Sequence, residues 1–398
     1  MSPEELIARR TGRRCLPLPS NRLGLYLALR HWTSPGQRLL MSPISADEIL
    51  FLVLAAGLLP VIAPLSRRDG NLDLSRTDLS SVDAVLTTNL YGLPDPVAGL
   101  AGKVVIEDVA HALETTVGGR PLGTFGQAGV FSLSKHAGAG SGGVLAVESG
   151  ADLKALERAR DRLLLPGAFA ADLAAVGASI ARHAVTTLEL VRPALRLVRA
   201  LGLVEPRQGY RIPLRERELK SALAAGSALR GRASQGSSLT DPPDDRLADP
   251  LAALDSWIRA DLHHYRSRYG RLSRRYQAHR LGRVPRDRAA RLAGIAMLAE
   301  LPSVAPAVLD NLDQPLFRVP LLVSERDPAI AELERHGVAT GYLYDPPFDD
   351  YAAAFTEASP YPGDARWWAR HVLPVNPLRA HRAWEVLKGL SPAPSPAR

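Results

Sequence analysis

From Ser20 to Val147 the chain alternates segments of helical and of strand character, and few folds accept that alternation. Strands separated by helices must be joined by crossovers, which gives a doubly wound, largely parallel sheet with helices on its faces. Ser20 and Asn21 can cap a first helix that runs through Leu23, Leu25, Leu27 and Leu29. Ser45 and Glu48 have the spacing of a capping box that opens a second. Strands are expected over 37–41, 59–64, 82–88, 103–107, 128–133 and 144–147. In such a sheet ligands bind beyond the carboxyl ends of the strands, so the residues at those ends matter most.

Residues 151–301 read as mostly helical, interrupted at Pro166, at Pro193 and by a polar loop over 230–250. Leu254, Ile258, Leu262, Tyr265, Tyr269, Leu272 and Tyr276 recur three or four residues apart and predict the buried stripe of one amphipathic helix. The ten arginines between positions 266 and 291 would then form its solvated face rather than a nucleic-acid surface. A small α+β unit is expected over 314–390, with strands at 316–323 and 338–344, a helix at 327–336 and further helices near 365–371 and 378–390. Residues 1–313 would form the large unit, and 391–398, rich in Pro and Ser, a disordered tail.

The net charge of +8 favours an anionic partner, and a phosphate-bearing small molecule satisfies it as well as nucleic acid does. The single cysteine, Cys15, excludes a disulfide framework and a thiolate metal cluster. Apolar runs such as 49–64 are broken by Gly and Pro, so no membrane insertion is expected, and with no signal-type start a cytoplasmic location follows.

Chemistry converges on the strand ends. Only five lysines stand against forty-four arginines, and one of them, Lys135, follows an apolar strand and precedes a glycine-rich bend. An amine can lose its proton and attack a carbonyl, which a guanidinium cannot. Asp108 closes the strand Val104-Val-Ile-Glu107, His111 lies three residues on, and Ser132 ends the strand before Lys135. The Ser20-Asn21-Arg22 turn opens a helix whose N-terminal N–H groups suit a phosphate. Taken singly, Asp108 reads as a strand-end cap, His111 as a core histidine and Ser132 as a strand hydroxyl. Together they are what pyridoxal 5′-phosphate needs: an amine for its aldehyde, a carboxylate for its ring nitrogen, and donors for its phosphate. Gly138, Gly140 and Gly143 have the spacing of a dinucleotide fingerprint, but the β-type run Val144-Leu-Ala-Val147 follows where that motif needs a helix.

These residues resemble the DegT/StrS-type sugar aminotransferases of fold type I. Ile106-Glu-Asp-Val-Ala-His-Ala112, Gly119-Arg-Pro-Leu-Gly-Thr-Phe-Gly126, Val130-Phe-Ser-Leu-Ser-Lys135 and Gly142-Gly143 follow the family's motifs in order. The resemblance implies a fold type I pyridoxal-phosphate transferase, with a large domain around a mostly parallel seven-stranded sheet and a small C-terminal domain. It implies Lys135 as the Schiff-base lysine, Asp108 at the ring nitrogen and His111 near the ring, with Ser20, Asn21, Arg22 and Ser132 around the phosphate. It further implies a homodimer that moves an amino group, from glutamate, onto a keto sugar carried by a nucleotide or similar phosphorylated carrier, as in amino sugar biosynthesis. Two alternatives stay open: a dehydratase or other reaction on the same cofactor, and a scaffold that has lost catalysis. The resemblance departs at Asp47, where the family usually sets an aromatic residue over the cofactor ring, and at Ser141, where it often has Glu.

Overall fold

A computed structural model describes residues 1–187, 211, 213–235, 251–258, 264–342 and 344–394. The N-terminal part runs α1 (Pro3–Thr11), β1 (Arg14–Leu18), α2 (Asn21–Trp32), β2 (Arg38–Met41), α3 (Asp47–Ala55), β3 (Leu59–Ile62), β4 (Ala84–Thr87) and β5 (Val104–Asp108). A small hairpin, β6 (Thr116–Val117) and β7 (Arg120–Pro121), precedes β8 (Ala128–Ser132) and β9 (Gly143–Val147). Seven strands form one sheet in the order β1-β9-β8-β5-β4-β2-β3. Five of them, β3, β2, β4, β5 and β8, run parallel, while β9 is antiparallel to both β8 and β1. This is the expected fold type I sheet, with an edge strand, β1, that the sequence reading did not anticipate.

The parallel strands are apolar on both faces because helices cover both. Helix α2 is buried from Leu23 to Leu29 and lies close to the sheet at Gly24, where a Cβ would come within 2.6 Å of Val130. Only glycine admits that approach. Helix α3 begins at Asp47 after Ala46, with no side-chain cap. The expected Ser45–Glu48 capping box is therefore absent, and Glu48 instead meets Arg22 at 3.3 Å.

Beyond the sheet come α4 (Gly150–Leu163), α5 (Phe169–Thr187), α6 (Glu216–Gln235) and α7 (Arg271–Ala299). Helix α6 carries on through the first residues of the expected 230–250 loop; the rest of that loop, Pro193 and Leu262 lie outside the described residues. The single stripe from Leu254 to Tyr276 does not form. Residues 252–254 make a short 3-10 turn, Ser267 pairs with Leu165 in an extended stretch, and Gly270 caps a helix that starts only at Arg271. Leu254, Ile258 and Tyr265 are nonetheless buried, whereas Leu272 is exposed. Nor are all the arginines solvated: Arg266 and Arg291 are buried, the first against Asp255 and the second on the carbonyl of Leu316 at 3.1 Å.

Near the C-terminus, β10 (Val319–Leu322) is followed by α8 (Arg326–Arg335), α9 (Pro362–His371), β11 (Val372–Val375) and α10 (Ala380–Leu387). The partner of β10 is β11, antiparallel, and not the expected strand at 338–344. That stretch ends at Tyr344, whose φ of 57° leaves extended geometry and turns the chain toward the sheet's carboxyl edge. The start of the expected disordered tail is ordered: Ser391 and Ala393 hydrogen-bond to Ser324 and Leu322. Among the described residues no helix is long and apolar enough to cross a membrane.

Candidate functional site

At the carboxyl ends of β5 and β8 the chain encloses a pocket of about 220 Å³. Asp108, the last residue of β5, is buried there, and its Oδ1 accepts from Asn21 Nδ2 and from the Ala110 N–H, both at 3.0 Å. Asn21 also donates to the Val130 carbonyl at 3.1 Å, so its side chain fastens the start of α2 across two strand ends. Burial raises the Asp108 carboxyl from its ordinary value to about 6, against the opposing pull of the Ala110 N–H, Asn21 and Lys135. A cation placed beside it would reverse that shift.

The turn that carries this aspartate is itself braced from below. Glu107, pointing the opposite way along the pleat, accepts N–H bonds from Gly123, Phe125 and Gly126, each at 2.7 Å. A Cβ at Gly126 would fall 2.2 Å from the Val105 carbonyl oxygen, which explains why the turn carries glycine there. On the other flank Asn89 donates to the carbonyl of Asp108 at 3.1 Å, and Asp95 accepts from Thr88 and Asn89 at 2.7 and 2.8 Å.

His111 follows Asp108 by three residues and lines the same pocket. Its Nδ1 accepts from the Tyr91 N–H at 3.3 Å, and its ring stacks on Phe317 with centroids 4.9 Å apart. Burial first, then Lys135, His136 and Arg318, hold its pKa well below the usual histidine value. It is a neutral ring at pH 7, with the proton on Nε2. Lys135 lies exposed three residues after Ser132, whose Oγ is 3.0 Å from Ser134 Oγ.

The start of α2 completes the wall. Ser20 caps the helix, its Oγ accepting from Leu23 N at 3.1 Å and donating to the Tyr265 carbonyl at 2.9 Å. The glycine bend presses on this point, since a Cβ at Gly143 would come within 2.6 Å of Asn21 N. All seven residues singled out in the sequence, Ser20, Asn21, Arg22, Asp108, His111, Ser132 and Lys135, line the one pocket.

Tyr265, Tyr269 and Tyr344 also line it, and the sequence reading missed that role. The first two were placed on a helix that does not form; the third signals itself only through its left-handed backbone. Asp47 is not part of the lining, which on that side comes from Ser45, Ala46 and Ile49. It pairs instead with Arg211 at 2.5 Å, both side chains buried. Arg211 also donates to the carbonyls of Ser45, Pro346 and Tyr344 and lies over the rings of Phe348 and Tyr351.

Residues 15–162 match the profile of the DegT/DnrJ/EryC1/StrS aminotransferase family. A UDP-N-acetyl-3-dehydro-α-D-glucosamine 3-aminotransferase of Acidithiobacillus ferrooxidans is 30% identical over 142 residues, 33% of this chain and 38% of that protein. The spore coat polysaccharide biosynthesis protein SpsC of Bacillus subtilis is 29% identical over 136 residues, 31% of this chain and 35% of its own. The matched segment thus spans little more than a third of the length of these relatives. Solved structures extend the likeness in fold: Helicobacter pylori PseC, an aminotransferase of pseudoaminic acid biosynthesis, has a TM-score of 0.61 at 14% identity, covering 97% of this chain and 90% of that one. An Escherichia coli GDP-4-keto-6-deoxy-D-mannose-3-dehydratase with bound hydrated PLP has a TM-score of 0.62 at 14% identity, with the same coverage. Over residues 15–162, less than half of its length, the chain is similar to the DegT/DnrJ/EryC1/StrS aminotransferase family.

Proposed function

We propose that this protein is a pyridoxal-phosphate-dependent aminotransferase that moves an amino group, from glutamate, onto a keto sugar carried by a nucleotide or a similar phosphorylated carrier. The observation that carries the reading is the meeting of Lys135 with the buried Asp108 in one pocket beside the start of α2. The pocket's chemistry fits the cofactor. A carboxyl pushed up to about 6 by burial gains most from a neighbouring cation, which a protonated ring nitrogen supplies. The hydroxyls of Ser132 and Ser134 and the N-terminal end of α2 suit a phosphate. Ser20 contributes by holding that end in place, since its hydroxyl is engaged with Leu23 and Tyr265.

When bound, the cofactor supplies an electron sink for the carbon that exchanges its amino group. The chain's own residues do the rest. Lys135 Nζ is the base that takes and returns a proton at the reacting carbon. Asp108, oriented by Asn21 and Ala110, keeps the ring nitrogen protonated. His111, neutral and fixed by Tyr91 and Phe317, offers its Nε2–H as a donor and a flat face as a wall. The same reading takes the enzyme to be a cytoplasmic homodimer with a large unit over 1–313 and a small one over 314–390.

Adding pyridoxal phosphate to the purified protein tests this. A visible band that borohydride abolishes, with the reduced adduct mapped to Lys135, supports the reading. Lys135→Ala should retain the fold and lose both adduct and turnover. An adduct elsewhere, or none, overturns it.

A further inference from the structure

Helices α5 and α7 lie side by side and run in the same direction. Asp172 abuts Gly270, where a Cβ would fall 2.2 Å from Asp172 Oδ2, and farther along both helices Arg280 Nη1 is 3.0 Å from His183 Nε2. Both rest their inner faces on the glycine bend, Ser179 against Gly140 and Gln277 against Gly142. Their outer faces therefore point away from the bend together and form one surface.

On the α5 side that surface is apolar. Phe169, Leu173 and Ile180 are 77%, 52% and 51% exposed, and at about 100° per residue they fall within an arc of roughly 40°. Ala170, Ala174, Gly177 and Ala181 continue the same exposed side, so from 169 to 181 it carries no charge. Single apolar side chains in water need no explanation; a row of them on one helix face marks an interaction site. On the α7 side the surface is cationic. Arg271, Arg275, Arg283 and Arg286 are exposed along one face of the helix, spanning about 22 Å. Among the described residues none of the four meets a carboxylate, whereas Arg274 and Arg288, to either side, pair with Glu4 and Glu114. The sequence from 271 to 286 contains no Asp or Glu, and Asp287, the first acid after it, is near Arg291 and Glu114.

A row of unpaired guanidinium groups beside an uncharged apolar face matches a partner that offers anionic oxygens and hydrocarbon together. A second copy of this chain would lay arginines against arginines or against the uncharged face, and would pair them in neither case. Nucleic acid would engage the arginines and leave Phe169, Leu173 and Ile180 in water. An anionic bilayer satisfies both sides, with lipid phosphates along α7 and acyl chains beneath α5. Such docking lies in the plane of the membrane and requires no helix that crosses it.

We propose that the outer face of α5 and α7 docks the protein on the surface of a membrane containing anionic phospholipid. The proposal does not rest on the aminotransferase reading.

Co-sedimentation of the full chain with vesicles tests it, comparing phosphatidylcholine alone with phosphatidylcholine and phosphatidylglycerol in equal parts. Binding is expected to the mixed vesicles, and less of it as salt rises. R275Q/R286Q should lose roughly thirtyfold in vesicle affinity, at about fivefold per arginine, and R275K/R286K should keep most of it. F169S/L173S should bind about tenfold more weakly or worse, having lost two apolar anchors. All four substituted side chains are exposed, so melting curves should match the parent. Failure to bind the mixed vesicles, equal binding to phosphatidylcholine alone, or unchanged affinity in R275Q/R286Q or F169S/L173S overturns the proposal. So does a dimer that F169S/L173S splits without any change in vesicle binding, or arginine-dependent binding of a DNA duplex by a protein that leaves the vesicles alone.

Discussion

Asp47→Ala removes a carboxylate that pairs with Arg211 at 2.5 Å, where the Asp and Arg side chains are 2% and 6% exposed. Taking away one member of a buried pair strands the other and costs about 3–5 kcal/mol. Arg211 keeps three carbonyl acceptors, at 2.8 Å from Ser45, 2.6 Å from Pro346 and 3.3 Å from Tyr344. It also keeps two rings, with centroids at 4.4 and 5.1 Å. These partners put the loss at the lower end, about 3 kcal/mol. With a urea dependence of about 3 kcal/mol per molar, the unfolding midpoint should fall by about 1 M. Tryptophan fluorescence during urea titration reads it directly. Adding Arg211→Met should recover most of the loss, because an apolar pair in place of a buried ion pair is close to neutral, less about 1 kcal/mol for the lost ring contacts. A midpoint that barely moves in Asp47→Ala, or a double variant whose cost is the sum of the singles, refutes the reasoning. Since Ser45 and Ala46 line the pocket next to Asp47, the single variant should bind pyridoxal phosphate less tightly as well.

Other outcomes follow from the site. The Asp108 carboxyl is raised from 3.8 to about 6, so the protonated form is the one the fold favours. Its contribution is full below the unfolded value and is lost as pH rises through about 6, a change worth about 3 kcal/mol. Without cofactor the melting temperature should therefore fall between pH 4 and 7 in the parent and stay flatter in Asp108→Asn, which should also be slow in turnover; equal slopes would contradict the burial argument. Gly143→Ala sets a Cβ 2.6 Å from Asn21 N, an overpacking that costs about 1–3 kcal/mol and displaces the start of α2. Its affinity for pyridoxal phosphate, measured by absorbance titration, should drop about tenfold, in line with roughly 1.4 kcal/mol.

The sheet and its site were legible because their signals are local. Apolar strands bounded by turn residues mark β2, β4, β5 and β8, and in a parallel sheet the chemistry gathers at strand ends, so Asp108, His111, Ser132 and Lys135 could be assembled before any coordinates. The misreadings came where a local pattern competes with a distant one. Ser45 and Glu48 have capping-box spacing, but Glu48 finds Arg22. The apolar positions from Leu254 to Tyr276 keep helical period, yet Gly270 and the bridge from Ser267 to Leu165 break the helix while Leu254, Ile258 and Tyr265 stay buried. Periodicity registered burial and not the element that delivers it. Strand pairing of β10 with β11 spans about fifty residues of chain, and nothing between them in sequence announces it. Tyr344 and Arg211 reach the pocket's surroundings by the same kind of long-range closure.

The hydroxyl of Ser20 joins residues 245 apart in sequence, taking the Leu23 N–H on one side and giving to the Tyr265 carbonyl on the other. Ser20 lies within the family-matched segment; Tyr265 lies beyond it. The arginine-rich helical stretch is thus not a detachable cassette. A chimera that exchanged residues 164–270 with those of a relative would have to bring its own acceptor to this hydroxyl, or the helix would lose the latch that seats its first turn. Exchange of that segment is constrained at this bond as well as at the contacts of Arg211 with Asp47 and Ser45.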